Sequence, residues 1–156
     1  MFVLFPFCTA VNPDIEKILE VSFQQSGHDF SCVKADNAFV ITSGVNQLVL
    51  AMQNERFPRE SIDVLISSFS GWSYDELDQL KNHQSLVSIR TPRNPINSKA
   101  QVSFIAQVVL TLLRQEGAVG FVNAVAEYYF PVSRFEVYMS EMVLQPEEFY
   151  FLFVRV

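Results

Sequence analysis

The sequence predicts an α+β fold, a mixed, largely antiparallel sheet with helices packed on it, and three observations carry that expectation. The first is a long apolar helix over Ser98–Gly117, SKAQVSFIAQVVLTLLRQEG. At 3.6 residues per turn, Val102, Ile105, Ala106, Val109, Leu110 and Leu113 share a face, which Phe104, Val108 and Leu112 widen. Only Ser103, Gln107, Thr111 and Arg114 form a polar stripe, so this helix should be buried around most of its circumference. The second is a set of short apolar runs of strand length. Two of them, Ser85–Ile89 and Ala118–Val122, flank the helix as a strand-helix-strand unit. The third is tight-turn chemistry early in the chain, at Asp36-Asn37 and Ser43-Gly44, between runs that alternate or are β-prone.

Taken in order, Phe2–Val11 reads as a buried strand in which Pro6 requires an edge position or a bulge. A secretory leader is the weaker reading, because the stretch lacks a basic start and Pro6 interrupts it. Asn12 caps the next helix with Pro13 at its first position. Ile15, Ile18, Leu19 and Ser22 line one side of that helix, and Gly27 ends it. Strands follow at Phe30–Ala35, Phe39–Thr42 and Val45–Gln53. Phe57-Pro58-Arg59-Glu60 then opens a helical segment, with Ile62, Leu65, Ile66 and Phe69 at helical spacing up to Gly71. Trp72 fills the joint, and Ser73 caps a second short helix, Tyr74–Asn82. Ser98 is the expected N-cap of the long helix and Gly117 its left-handed stop. Beyond Asn123 come Ala124–Phe130, a stop at Pro131, a helical turn over Ser133–Met142, and the β-prone run Phe149–Val156, FYFLFVRV. Such a terminal strand must be paired or covered. No repeat or linker divides residues 1–156, so one domain is expected.

At 156 residues the chain can bury a core without disulfide or metal staples. Hydrophobic residues at 49% against 18% charged exclude a disordered tail. A net charge of −6 disfavours nucleic acid and anionic membrane and favours a basic protein partner. Cys8 and Cys32 lack CxxC spacing and read as free thiols in a reducing compartment. No run reaches the roughly 18–20 apolar residues of a membrane span, and a cytoplasmic location is expected.

Chemistry is sparse. His28 lies in a turn and His83 at a helix end, neither with Cys or carboxylate partners at ligand spacing. No metal site is expected, and each histidine reads as solvated or helix-capping. There is no GxSxG elbow and no glycine-rich phosphate loop, so no catalytic residue, cofactor or enzyme activity is expected. Lys81, Arg90, Arg93 and Lys99 gather around the loop TPRNPINS, which leads into the long helix. Arg90, Arg93, Ser98 and Lys99 are therefore a candidate anion site at the helix N-terminus, with His83 nearby. A second candidate mixes carboxylates and aromatics: Tyr74, Asp75, Glu76 and Asp78 on the short helix, with Tyr128, Tyr129, Phe135, Glu136, Tyr138 and Glu141 further on. Aromatic anchors supply affinity and charge supplies on-rate, so such a surface suits a basic protein. The competing account is an ordinary acidic surface over buried aromatics.

From Phe57 onward the order of landmarks resembles a bacterial family, the DUF 4261 family. The shared features are Pro58 opening a helix, Trp72 ahead of a second helix, His83 leading into an apolar strand, a long apolar helix, and Gly117-Ala118-Val119 in a small-residue strand. The chain departs from the family where a second histidine would stand, at Leu86, and lacks the family's Gly-rich C-terminal portion. The family has no established chemistry, so the resemblance implies a fold and no reaction. In character such a small acidic domain is similar to immunity proteins, which neutralise toxins delivered between competing cells, for example by type VI secretion. The expectation is a non-catalytic bacterial protein-binding domain of that kind, its partner a toxin encoded by an adjacent gene. An anion-binding protein or enzyme using the Arg90–Lys99 loop is the first alternative. A domain that oligomerises through its C-terminal strand, giving a homodimer, is the second.

Overall fold

The computed structural model describes residues 2–9, 14–27, 29–53, 55–67, 73–91, 99–123 and 128–134. The fold is α+β. Phe2–Phe7 (β1) leads to Ile15–Ser26 (α1), then three strands, Ser31–Ala35 (β2), Ala38–Ser43 (β3) and Asn46–Gln53 (β4). Two helices follow, Arg59–Ser67 (α2) and Tyr74–Lys81 (α3). Ser85–Arg90 (β5), Lys99–Leu113 (α4), Gly120–Asn123 (β6) and Tyr128–Pro131 (β7) come after them.

The strands form one sheet in the order β2-β3-β4-β5-β1-β6-β7, and every pairing among the described residues is antiparallel. The expected largely antiparallel sheet is present, with no parallel pairing among the described residues. β5 and β6, which flank α4, do not pair. β1 lies between them and opposes both, so the strand-helix-strand unit is split by the first strand. Tight turns account for β2 to β4: Asp36 adopts φ 52° and Gly44 φ 58°, the left-handed geometry that brings consecutive strands back on themselves.

Pro6 sits inside the sheet, and the bulge, not the edge, accommodates it. Leu4 faces Val122, but Phe7 faces Ala118, so Phe5 and Pro6 oppose three residues, Val119, Gly120 and Phe121. The extra residue leaves no ladder position at which the missing Pro6 N–H is needed, while the Pro6 carbonyl still accepts from Val119 N at 3.0 Å. Gly120 lies in this bulge, where a Cβ would collide with the Phe130 carbonyl oxygen of β7.

On one face of the sheet α1 and α4 cover a large core. Ile15, Leu19 and Phe23 of α1 pack with Phe104, Ile105, Val108, Val109, Leu112 and Leu113 of α4 over Phe5, Phe7, Ile41, Leu50, Ile89 and Phe121. From Ser103 to Leu113 no residue of α4 is exposed, which the nearly continuous apolar pattern demands. Of its polar stripe, Gln107 reaches α1, its Nε2 donating to Ser22 O at 3.3 Å, and buried Thr111 donates back along the helix to Gln107 O at 2.8 Å. Ser98 lies outside the described residues, and Gly117 adopts φ 80° beyond the helix end. α1 ends at Gly27, whose φ of 71° lets its N–H cap Gln24 O and Phe23 O. Asn12, Pro13, Phe69, Gly71, Trp72 and the runs over 135–142 and 149–156 lie outside the described residues. On the opposite face α2 and α3 bury a small cluster, Ile62, Leu80, Val119, Val122 and Tyr129, with Phe57 and Cys8 against it.

Candidate functional site

The site is built on α3, YDELDQLK, a short polar helix. Ser73 holds its start with a reciprocal capping box: Glu76 N donates to Ser73 Oγ at 3.2 Å, and Ser73 N donates to Glu76 Oε2 at 2.7 Å. Leu80 is buried and Leu77 half-buried, so the inner face is settled by two leucines three apart. That orientation leaves Tyr74, Asp75 and Asp78 outside, with Tyr74 85% exposed.

Behind the C-terminal end of α3 lies His83, fully buried. Its Nδ1 meets Leu80 O at 2.6 Å, and its Nε2 accepts from Phe57 N at 2.7 Å. The second bond requires a bare Nε2, so Nδ1 carries the proton and donates to the end of the helix. Burial depresses the His83 pKa, against the bond to Leu80, and Arg56 depresses it further. The ring is a neutral cross-link that ties the backbone before α2 to the end of α3. Of the two expected roles for this residue, solvated or helix-capping, the structure places it in the second. His28 lies outside the described residues.

This pin fixes the walls of a cleft of about 360 Å³. Arg56, Phe57, Arg59 and Ile62 supply one side, and Asp78, Lys81 and Asn82 the other. Arg56 and Arg59 did not stand out in the sequence, although they bracket Phe57-Pro58 in RFPR. Their pairing with Lys81 depends on the packing of α2 against α3, and no local spacing announces it.

The remaining expected residues fall out as follows. Tyr129 is 1% exposed, its hydroxyl donating to Val119 O at 3.3 Å, so it is core and cannot meet a partner. It faces the α2–α3 side because its strand neighbour Phe130 faces the other, and burial, then Glu76 and Cys8, push its phenol upward. Glu76 is also withdrawn from the surface set. One oxygen serves the capping box, and the other accepts from Ser133 Oγ and lies 3.9 Å from Arg134 Nε. Burial alone would raise its pKa, but the bonds from Ser133 and Ser73, with Arg134, hold it below the ordinary value. Tyr128 begins β7, while Phe135, Glu136, Tyr138 and Glu141 lie outside the described residues. Arg90 and Lys81 do not belong together, because β5 separates them end to end, and His83 stands at the Ser85 end, away from Arg90. Arg93 and Ser98 lie outside the described residues, and Lys99 begins α4.

Both cysteines are half-buried free thiols. Burial raises each, Cys8 with help from Asp78, and Cys32 to about 11 with help from Glu16 and Glu20, so neither is poised as a nucleophile. Among the described residues no group of His, Cys, Asp and Glu could hold a metal ion, and no helix is long and apolar enough to cross a membrane. Comparison of the chain with protein-family models, with curated proteins and with solved structures found no match in any of the three.

Proposed function

We propose that this chain is a non-catalytic protein-binding domain whose α3 outer face meets a basic protein partner. The observation that supports it is Tyr74, a large aromatic held in water at the start of a firmly capped helix, beside Asp75 and Asp78. Positions 74 and 78 are one turn apart, and 75 and 78 three residues apart, so the three side chains share a patch. A tyrosine contributes contact area at small entropic cost, and the carboxylates steer a cation-rich surface toward it. The chain's charge of −6 adds to that steering. The specific form we put forward is a cytoplasmic immunity protein, masking a toxin encoded by an adjacent gene, with type VI secretion as one delivery route.

The test is co-purification with the products of neighbouring genes, followed by calorimetry on the complex found. Tyr74→Ala should weaken it by about thirtyfold, the loss of a hot-spot aromatic. Asp75→Lys with Asp78→Lys should slow association and lessen its salt dependence. A complex indifferent to all three changes, or no complex with any neighbour, removes the reading.

A further inference from the structure

We infer that the cleft between α2 and α3 is a binding site for a small organic phosphate. Arg56, Arg59 and Lys81 line it with Asp78 as the one carboxylate, so its wall carries a net positive charge in a chain of net charge −6. None of the three cations forms an ion pair within salt-bridge distance among the described residues, whereas Lys17 and Arg134 do. Three cations around one concavity repel one another, and an anion placed between them removes that cost. Two of the three are arginines, whose planar forks match the oxygen spacing of a phosphate.

The rest of the lining says what the anion is attached to. Phe57 and Ile62 provide an apolar wall, and Asn82 and Asp78 add an amide and an acceptor beside it. A volume of about 360 Å³ lies at the lower end of the range for small-molecule sites, too large for phosphate alone. The backbone of the walls is already set: His83 ties Phe57 N and Leu80 O together, which holds the chain at Arg56 and at Lys81 on opposite sides of the cleft without a ligand. A cleft whose backbone is set in advance loses less freedom on binding, which favours affinity. The site shares Asp78 with the outer face of α3, but its three cations lie outside that patch, and it stands whether or not that face binds a protein.

Phenyl phosphate serves as the probe, with inorganic phosphate and phenol as its two halves, titrated into the full chain by calorimetry and by amide chemical shifts. Phenyl phosphate should bind saturably and more tightly than inorganic phosphate, with phenol not binding. The shifts should centre on residues 56–62 and 78–83. Arg56→Gln and Lys81→Gln should each weaken it by about tenfold, the loss of one charge-assisted hydrogen bond, while Asp78→Asn should strengthen it. Circular dichroism confirms that each variant is folded, and the gain in Asp78→Asn cannot come from unfolding. Absence of saturable binding overturns the assignment, as does binding that none of these substitutions changes or equal affinity for inorganic phosphate alone.

Discussion

On one face of the sheet, two helices and seven strands enclose a core of aromatic and aliphatic side chains. On the other, α2 and α3 share a hydrophobic cluster of five buried residues among those described. The first face is held by area: Phe121 lies between Phe5, 6.2 Å away between ring centroids, and Phe130 at 5.6 Å, while Phe23 stacks on Phe30 at 4.4 Å. The second is held by directed bonds, namely the Ser73–Glu76 capping box, the His83 pin and the Tyr129 hydroxyl. Apolar burial is non-directional and tolerates small shifts, whereas a hydrogen-bond pin sets positions closely and leaves polar side chains free to face solvent. The functional proposals both fall on the second face for that reason. If the contrast is right, Phe121→Ala should cost the most of any change considered, about 3–5 kcal/mol of unfolding free energy for loss of a core phenylalanine and the cavity left behind. Urea denaturation measures it, and a loss below about 1 kcal/mol would mean that the two faces do not differ as described.

Breaking the pin tests the other half. His83→Leu keeps the volume but leaves Phe57 N and Leu80 O without their partner, and should cost about 2 kcal/mol. It should also weaken phenyl phosphate binding through disordered walls, an effect that Phe121→Ala need not share. The pH dependence separates the pin from simple packing. Folding lowers the pKa of His83, so the unfolded chain binds the extra proton first. The stabilisation is whole above the unfolded value near 6.5 and shrinks as pH falls from there toward the lower folded value. His83→Leu should lack that component, and identical slopes for both proteins between about pH 5 and 7 would show that the histidine is not held neutral.

The sequence foretold the first face far better than the second. An apolar period of 3.6 over fifteen residues and short apolar runs are averages over many side chains, so Lys99–Leu113 and β1 to β5 emerge within a few residues of their expected bounds. Ser73 and Gly27 were readable for a different reason: a cap is local chemistry completed within four residues. What could not be read was which side of a strand a residue takes when both sides are covered. In YYFP, Tyr129 and Phe130 are both buried, on opposite faces, so the hydroxyl offered no sign that this tyrosine was core. The Pro6 bulge depends on how Ala118–Val122 pairs more than a hundred residues away. Arg56, Arg59 and Lys81 converge through the same kind of long-range packing, and linear spacing instead grouped Lys81 with Arg90, at the far end of a strand.

The finest test concerns Glu76, because it distinguishes a carboxylate exposed for a partner from one spent on the fold. Ser73→Ala should cost about 1 kcal/mol, the usual worth of an N-cap hydroxyl. Glu76→Gln keeps the shape but weakens the bonds from Ser73 N and Ser133, and removes the attraction to Arg134. Since folding holds the Glu76 carboxyl below its ordinary value, the native state prefers the ionised form. Its contribution is therefore complete above the unfolded value near 4.3 and disappears as pH falls through that value and the lower folded one. The wild type should lead Glu76→Gln in urea midpoint at pH 7, and the lead should close by about pH 3. A lead that persists in acid would place the effect in packing, and no lead at neutral pH would return Glu76 to the exposed acidic surface alongside Asp75 and Asp78.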